Sequence, residues 1–210
     1  MDTPAAPSDV RQHILDVARP LLLARGYTAV GLAEVLAAAK VPKGSFYHYF
    51  ASKDAFGVAL LEDYFKGYLA YMDGLMAGPG NGRERLVRYF HEWRETQGCE
   101  SAHSRCLVVK LGAEVCDLSD PMRTVLQAGT RAITERIERG IEAGRADGSL
   151  PPAPGGLAPA ILAANLYEHW LGASLLAKIM RSRQPLDTAM AGSLHALGVA
   201  DDEESPGRDA

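Results

Sequence analysis

The stretch Leu32–Lys53, LAEVLAAAKVPKGSFYHYFASK, decides how this chain is read. Leu32, Val35, Leu36 and Ala39 recur at helical spacing, and Val41, Phe46 and Phe50 supply the apolar side of a second short segment. Pro42 has a fixed φ and no N–H to donate, so it cannot extend the first segment but fits the opening turn of the next. The pattern predicts two short helices at a steep angle joined by a tight turn, a helix-turn-helix. Between Val35 and Lys53 the only charged side chains are Lys40, Lys43 and Lys53. Gly44 and Ser45 leave the start of the second helix unobstructed, and free N–H groups flanked by lysines suit a phosphate.

The whole-chain numbers agree with a local basic patch rather than a basic protein. The chain has 210 residues and a formal net charge of −4, so DNA affinity has to come from one face. No apolar run reaches the ~18 residues of a membrane span. The start, MDTPAAPSD, lacks the basic and apolar regions of a signal peptide, and a cytoplasmic protein without a membrane partner is expected. The three cysteines, odd in number and without a CxxC pair, are then reduced thiols rather than a disulfide framework.

An all-α fold is expected throughout. Ser8 or Asp9 caps a first helix with Val10, Ile14, Val17, Ala18, Leu21 and Leu22 as its apolar stripe, ended by Arg25-Gly26 and kinked near Pro20. It completes a three-helix core with the pair above. Ser52 caps a fourth helix that runs to about Met76 before the turn cluster GPGNG. A fifth covers about Arg83 to Gln97 with Leu86, Phe90 and Trp93 inward. A short apolar helix follows from Leu107 to Cys116. A long one with Pro121 at its first position then buries Val125, Ala132, Ile133, Ile137 and Ile141, while Arg131, Glu135, Arg136, Glu138 and Arg139 form a mostly solvated side. Leu157 to Met180 is apolar nearly all round, which one small core cannot satisfy, so one face is expected to meet a second subunit. Residues 1–53 are taken as the DNA-binding domain, 54–200 as a regulatory and dimerisation domain, and 201–210 as an acidic, disordered tail.

The helix-turn-helix resembles the TetR family of one-component transcriptional regulators, in the elements Gly26-Tyr27, then Val41, Gly44, Tyr47, Tyr49, Phe50 and Lys53. The sequence departs from that pattern at Val30, Lys40 and Pro42, where the family usually has Thr, Gly and Ser; Gly31 serves as a substitute N-cap. The resemblance implies an all-α fold, an N-terminal DNA-binding domain, and a homodimer through the last two helices. Such a dimer sets two recognition helices about 34–36 Å apart on a near-palindromic double-stranded operator. Lys43 and Lys53 are expected on phosphates, with Gly44 admitting the backbone closely. Ser45, Tyr47 and His48 are expected on base edges, beside Tyr49.

The sensing half turns on Gly98 to Asp120, GCESAHSRCLVVKLGAEVCDLSD. Cys106 precedes the apolar helix, where the helix dipole, Arg105 and Lys110 favour a thiolate, the form that attacks electrophiles and oxidants. Cys116, followed by Asp117 in the last turn, has the opposite surroundings, and Cys99 is a candidate resolving thiol. Other readings stand beside this one. Cys99, His103 and Cys106, with His91 or Cys116, are spaced like soft metal ligands but match no tight zinc pattern. Phe65, Tyr68, Trp93, Tyr167 and Trp170 could line a pocket for a hydrophobic inducer. Cys106 with His103 lacks the third group or oxyanion loop that an enzyme needs, and no catalytic residue, cofactor or metal is expected.

Cys106 to Ser119, Met122, Arg123 and Leu171 to Ile179 extend the family resemblance to its electrophile-responsive members. That implies a repressor of detoxification genes, relieved when a small electrophile or a hypochlorous-type oxidant modifies Cys106. It also makes Lys178 a candidate partner for the oxidised sulfur.

Overall fold

The computed structural model of the chain describes residues 7–97, 107–152 and 154–199. Besides a short 3-10 turn at Pro154–Gly156, the described residues form nine α-helices and no strand: α1 Pro7–Arg25, α2 Leu32–Ala39, α3 Lys43–Tyr49, α4 Lys53–Ala77, α5 Gly82–Gln97, α6 Leu107–Leu118, α7 Asp120–Ala146, α8 Pro159–Met180 and α9 Gln184–Leu197. The chain divides into two compact units, residues 1–68 with 100–130 and residues 69–99 with 131–210. The first unit therefore takes in α6 and the start of α7, which the sequence alone groups with the regulatory half.

In the first unit α1 lies against both α2 and α6. More than one neighbour, α4 included through the Arg19–Asp63 pair, explains why its buried face is wider than a single stripe. Ile14, Leu15, Ala18, Leu22 and Leu23 are all buried, whereas Val17 and Leu21, expected inward, are only partly covered. The helix passes through Pro20 without interruption. Ser52 caps α4 as its sequence predicts, its Oγ accepting the Ala55 N–H at 3.0 Å.

In the second unit α5 begins with a reciprocal cap that the chain spells out as Asn-x-x-Glu. Asn81 Oδ1 accepts the Glu84 N–H at 2.9 Å, and Glu84 Oε2 accepts the Asn81 N–H at 3.1 Å. Leu86, Tyr89, Phe90 and Trp93 point into the core. There Phe90 stacks on Trp170 at 5.3 Å, and Trp93 meets Tyr167 and Trp170 at 5.8 and 5.5 Å. Both indoles are satisfied by buried serines: Trp93 Nε1 donates to Ser174 Oγ at 3.1 Å and Trp170 Nε1 to Ser193 Oγ at 2.8 Å. On α7 the inward positions are Leu126, Ile133, Ile137 and Ile141, with Val125 and Ala132 half-buried. Arg136 leaves the expected solvated side: its side chain is 17 % exposed and its guanidinium grips Asp73 with two bonds of 2.7 Å. A planar fork with a facing carboxylate accounts for that placement. α8 divides its apolar residues between two environments. Leu162, Leu166, Trp170 and Ala173 pack inward, and Ile161, Leu175, Leu176, Ile179 and Met180 are exposed.

Candidate nucleic-acid interface

α2 and α3 form because the signals at their ends are local. Gly31 stands at the α2 N-cap in extended conformation, and Lys40 ends the helix at φ 55, its N–H bonded to Ala37 O and that of Val41 to Leu36 O. This is the left-handed closing turn that glycine ordinarily makes, carried here by a lysine. Pro42 stands just ahead of α3, and no side chain caps that helix.

α3 is seated by three phenylalanines. Phe46, Phe50 and Phe56 are buried, with ring centroids 5.1 to 5.5 Å apart, and Arg11 lies 5.3 Å above the Phe50 ring. With Phe46 turned inward, the helical period turns Lys43, Gly44, Tyr47 and His48 outward; all four are exposed, Tyr47 by 50 %. Ser45 and Tyr49 flank that face and are half-buried. The neighbouring acid, Glu34, is paired with Arg25, so its charge is countered before the basic face begins.

Lys53 has a structural task that its sequence does not reveal. Its Nζ donates to the carbonyls of Tyr27 at 3.3 Å and Val30 at 3.2 Å and lies 4.8 Å from the Tyr27 ring centre, while Tyr27 Oη donates to Lys53 O at 2.6 Å. Burial, with the Asp54 charge, pushes the Tyr27 hydroxyl well above the ordinary tyrosine range, so it remains a donor. The loop between α1 and α2 is thus tied to the start of α4.

The same loop is tied to α6 from another side. Glu114 accepts the Tyr27 N–H at 3.0 Å and the Thr28 N–H at 2.6 Å, and Lys110, one turn earlier, donates to Ala24 O at 3.3 Å. Gly26, at φ +93, makes the turn that aims those N–H groups; a Cβ there would stand 2.8 Å from Glu114 Oε2. Desolvation pushes the Glu114 carboxyl up, but the bonds from Thr28 and Tyr27 and the Lys110 charge outweigh it and hold the group below its ordinary value. α6 therefore grips the end of α1 through both signs of charge, satisfying a terminal carbonyl and two N–H groups that follow it.

These features have counterparts in known proteins. Residues 14–60 match the model for bacterial regulatory proteins of the tetR family, and residues 79–193 match that for a tetracyclin repressor-like C-terminal domain. The chain belongs to the TetR family. It is 44 % identical over 184 residues to the HTH-type transcriptional repressor NemR of Escherichia coli strain K12, covering 87 % of this chain and 91 % of that one. It is 34 % identical over 193 residues to the HTH-type transcriptional repressor DhaR of Mycobacterium sp. strain GP1, covering 91 % and 94 %. The crystal structure of E. coli NemR in its reduced form superposes with a TM-score of 0.82 at 43 % identity, covering 88 % of this chain and 95 % of that one. This TetR-family chain is a transcriptional repressor with an N-terminal helix-turn-helix, and TetR regulators bind DNA and act as dimers.

The remaining expected residues are placed unevenly. Cys106, with Cys99, His103 and Arg105, lies outside the described residues, and α6 begins at the next position, Leu107. Lys178 is on the exposed side of α8, and Cys116 is a half-buried free thiol. Trp93, Tyr167 and Trp170, considered for a hydrophobic pocket, pack ring to ring. Among the described residues no group of three His, Cys, Asp or Glu could hold a metal, and no helix is long and apolar enough to cross a membrane. Sequence reasoning missed the Glu114 grip, since no local pattern marks a bond across 86 or 87 positions.

Proposed function

We propose that this TetR-family repressor is a cytoplasmic homodimer released from a near-palindromic operator when a small electrophile or oxidant modifies Cys106, and that it controls detoxification genes. The observation that carries this reading is the Glu114 grip on Tyr27 and Thr28. α6 starts one residue after Cys106, and four-residue spacing puts Lys110 and Glu114 on one face of it. A displacement of α6 is therefore passed to the loop that opens into α2 and α3. Support also comes from the relative whose solved structure is described as a reduced form.

With a maleimide, the thiolate sulfur adds to one alkene carbon, the carbon–carbon π bond breaks, and water protonates the neighbouring carbon. With hypochlorous acid, the thiolate sulfur takes the chlorine to become a sulfenyl chloride, a two-electron oxidation, as the O–Cl bond breaks and the oxygen leaves as hydroxide. The Lys178 amine can then displace chloride to form a sulfur–nitrogen bond, with loss of a proton. To convert a mostly bound population into a mostly released one, the modification must favour the released state by about 5.5 kcal/mol. Lys43 and the remaining donor capacity of Lys53 act on phosphates, with Gly44 letting the backbone approach; Ser45, Tyr47, His48 and Tyr49 meet the groove. The exposed side of α8, with α9, forms the subunit contact.

A gel retardation assay with the DNA upstream of its own gene, with and without N-ethylmaleimide, tests the reading. Wild type is expected to bind and to be released, and Cys106→Ser to bind without being released. Release of Cys106→Ser by the same reagent would overturn the covalent switch.

A further inference from the structure

In the second compact unit, the end of α4, the start of α5 and the later half of α7 enclose a cavity of about 210 Å³. That is smaller than the roughly 300–1,000 Å³ of a drug-sized site. Three of its lining side chains are arginines, Arg85, Arg136 and Arg139, and one is an acid, Asp73. Asp73 already has a partner. Arg136 holds both of its oxygens at 2.7 Å, and the Asp73 carboxyl is drawn below its ordinary value first by that bond and further by the Arg139 charge.

The other two guanidinium groups are less engaged. Arg85 donates through one terminal nitrogen to Met76 O at 3.2 Å, but its Nε–H is buried and has no partner among the described residues. A further acid, Asp147, interacts with Arg85 through its charge. Its oxygens, however, are taken by the N–H groups of Gly82 at 2.7 Å and Ser149 at 2.9 Å. The same bonds, with Ser149 Oγ accepting the Arg83 N–H, cap the start of α5, so that helix end is not what attracts an anion. The wall is stiff, since a Cβ on Gly82 would lie 2.3 Å from the Gly144 nitrogen. A rigid, half-enclosed space with two under-used planar donors matches the paired oxygens of a carboxylate or phosphate.

We propose that this cavity binds a small oxyanion, a carboxylate or phosphate group carried on a small molecule, through Arg85 and Arg139 with Arg136 behind them. Binding there does not depend on the Cys106 thiol.

The test is calorimetric titration of the full-length protein at constant ionic strength, held with sodium chloride, using inorganic phosphate in one arm and succinate in the other. One site per chain is expected for at least one anion, and the arm that responds identifies the class. Arg139→Ala and, separately, Arg85→Met should weaken binding tenfold or more. Arg139→Lys should retain part of it, and Cys106→Ser should bind like wild type. Arg139 is exposed, so its variants should fold whatever Arg85→Met does. No saturable heat with either anion, or affinity unchanged in Arg139→Ala, would overturn the proposal. Loss of binding in Cys106→Ser would overturn the site's independence of the thiol.

Discussion

Glu114 of α6 accepts the backbone N–H of Thr28 at 2.6 Å, joining the helix that follows Cys106 to the loop that opens the helix-turn-helix. Together with the Tyr27 bond it is a charge-assisted pair, and removing the carboxylate leaves two N–H groups without that partner. Glu114→Ala should lower stability by about 1–2 kcal/mol, read as a shift of the chemical denaturation midpoint at unchanged slope. The sign with pH follows from the lowered carboxyl. The folded state holds the proton less tightly than the unfolded one, so the stabilisation is present above the ordinary value of 4.5 and is lost as pH falls through the folded value. The gap between wild type and Glu114→Ala should therefore close on acidification below 4.5. A gap independent of pH would mean that the carboxylate charge plays no part.

Lys40 occupies a left-handed turn at φ 55 where a side chain is strained. Lys40→Gly should raise stability by about 0.5–1 kcal/mol, seen as a higher thermal midpoint. A lower midpoint would show that the Lys40 side chain contributes more than its backbone loses.

Lys43 and Lys53 separate by what they already hold. Lys43 is exposed on α3, and Lys43→Ala should weaken operator binding, reduce the salt slope by about one and leave the thermal midpoint unchanged. Lys53 is bonded to two carbonyls of the α1–α2 loop, so Lys53→Ala should lower the midpoint as well. Equal midpoints for both variants would deny Lys53 its anchoring role.

Phe46 is fully buried in the phenylalanine cluster under α3. Phe46→Ala should cost about 3–5 kcal/mol and abolish retardation of every DNA fragment alike. Preserved binding by a fully folded variant would show that α3 does not need this seat.

The subunit contact has its own test. Leu176 and Ile179 are 49 % and 66 % exposed on α8, and introducing Asp at both should convert a dimer to a monomer in sedimentation velocity. An unaltered dimer would place the contact elsewhere.

The sequence alone carried the helix-turn-helix, because Pro42, Gly31, Phe46 and Phe50 are local signals with fixed physical meanings. The Asn81-x-x-Glu84 cap was equally open to reading and gives α5 its start. Leu15 and Leu23 were not, since a second neighbour on α1 widens its buried face and nothing within the helix announces α6. Arg136 was indistinguishable from the solvated charges beside it until Asp73 of another helix faced it. Lys53 matched a family motif, and only the fold shows its ammonium turned to carbonyls. What escaped the sequence was long-range pairing, and the coupling of α6 to the DNA-binding helices is made of that.

Hydrogen exchange at the amides of Tyr27 and Thr28, followed before and after N-ethylmaleimide, tests the proposed coupling most directly. Modification of wild type should speed their exchange in step with release of operator DNA, and Cys106→Ser should show neither change. Release of DNA from modified wild type with both amides as protected as before would contradict the account.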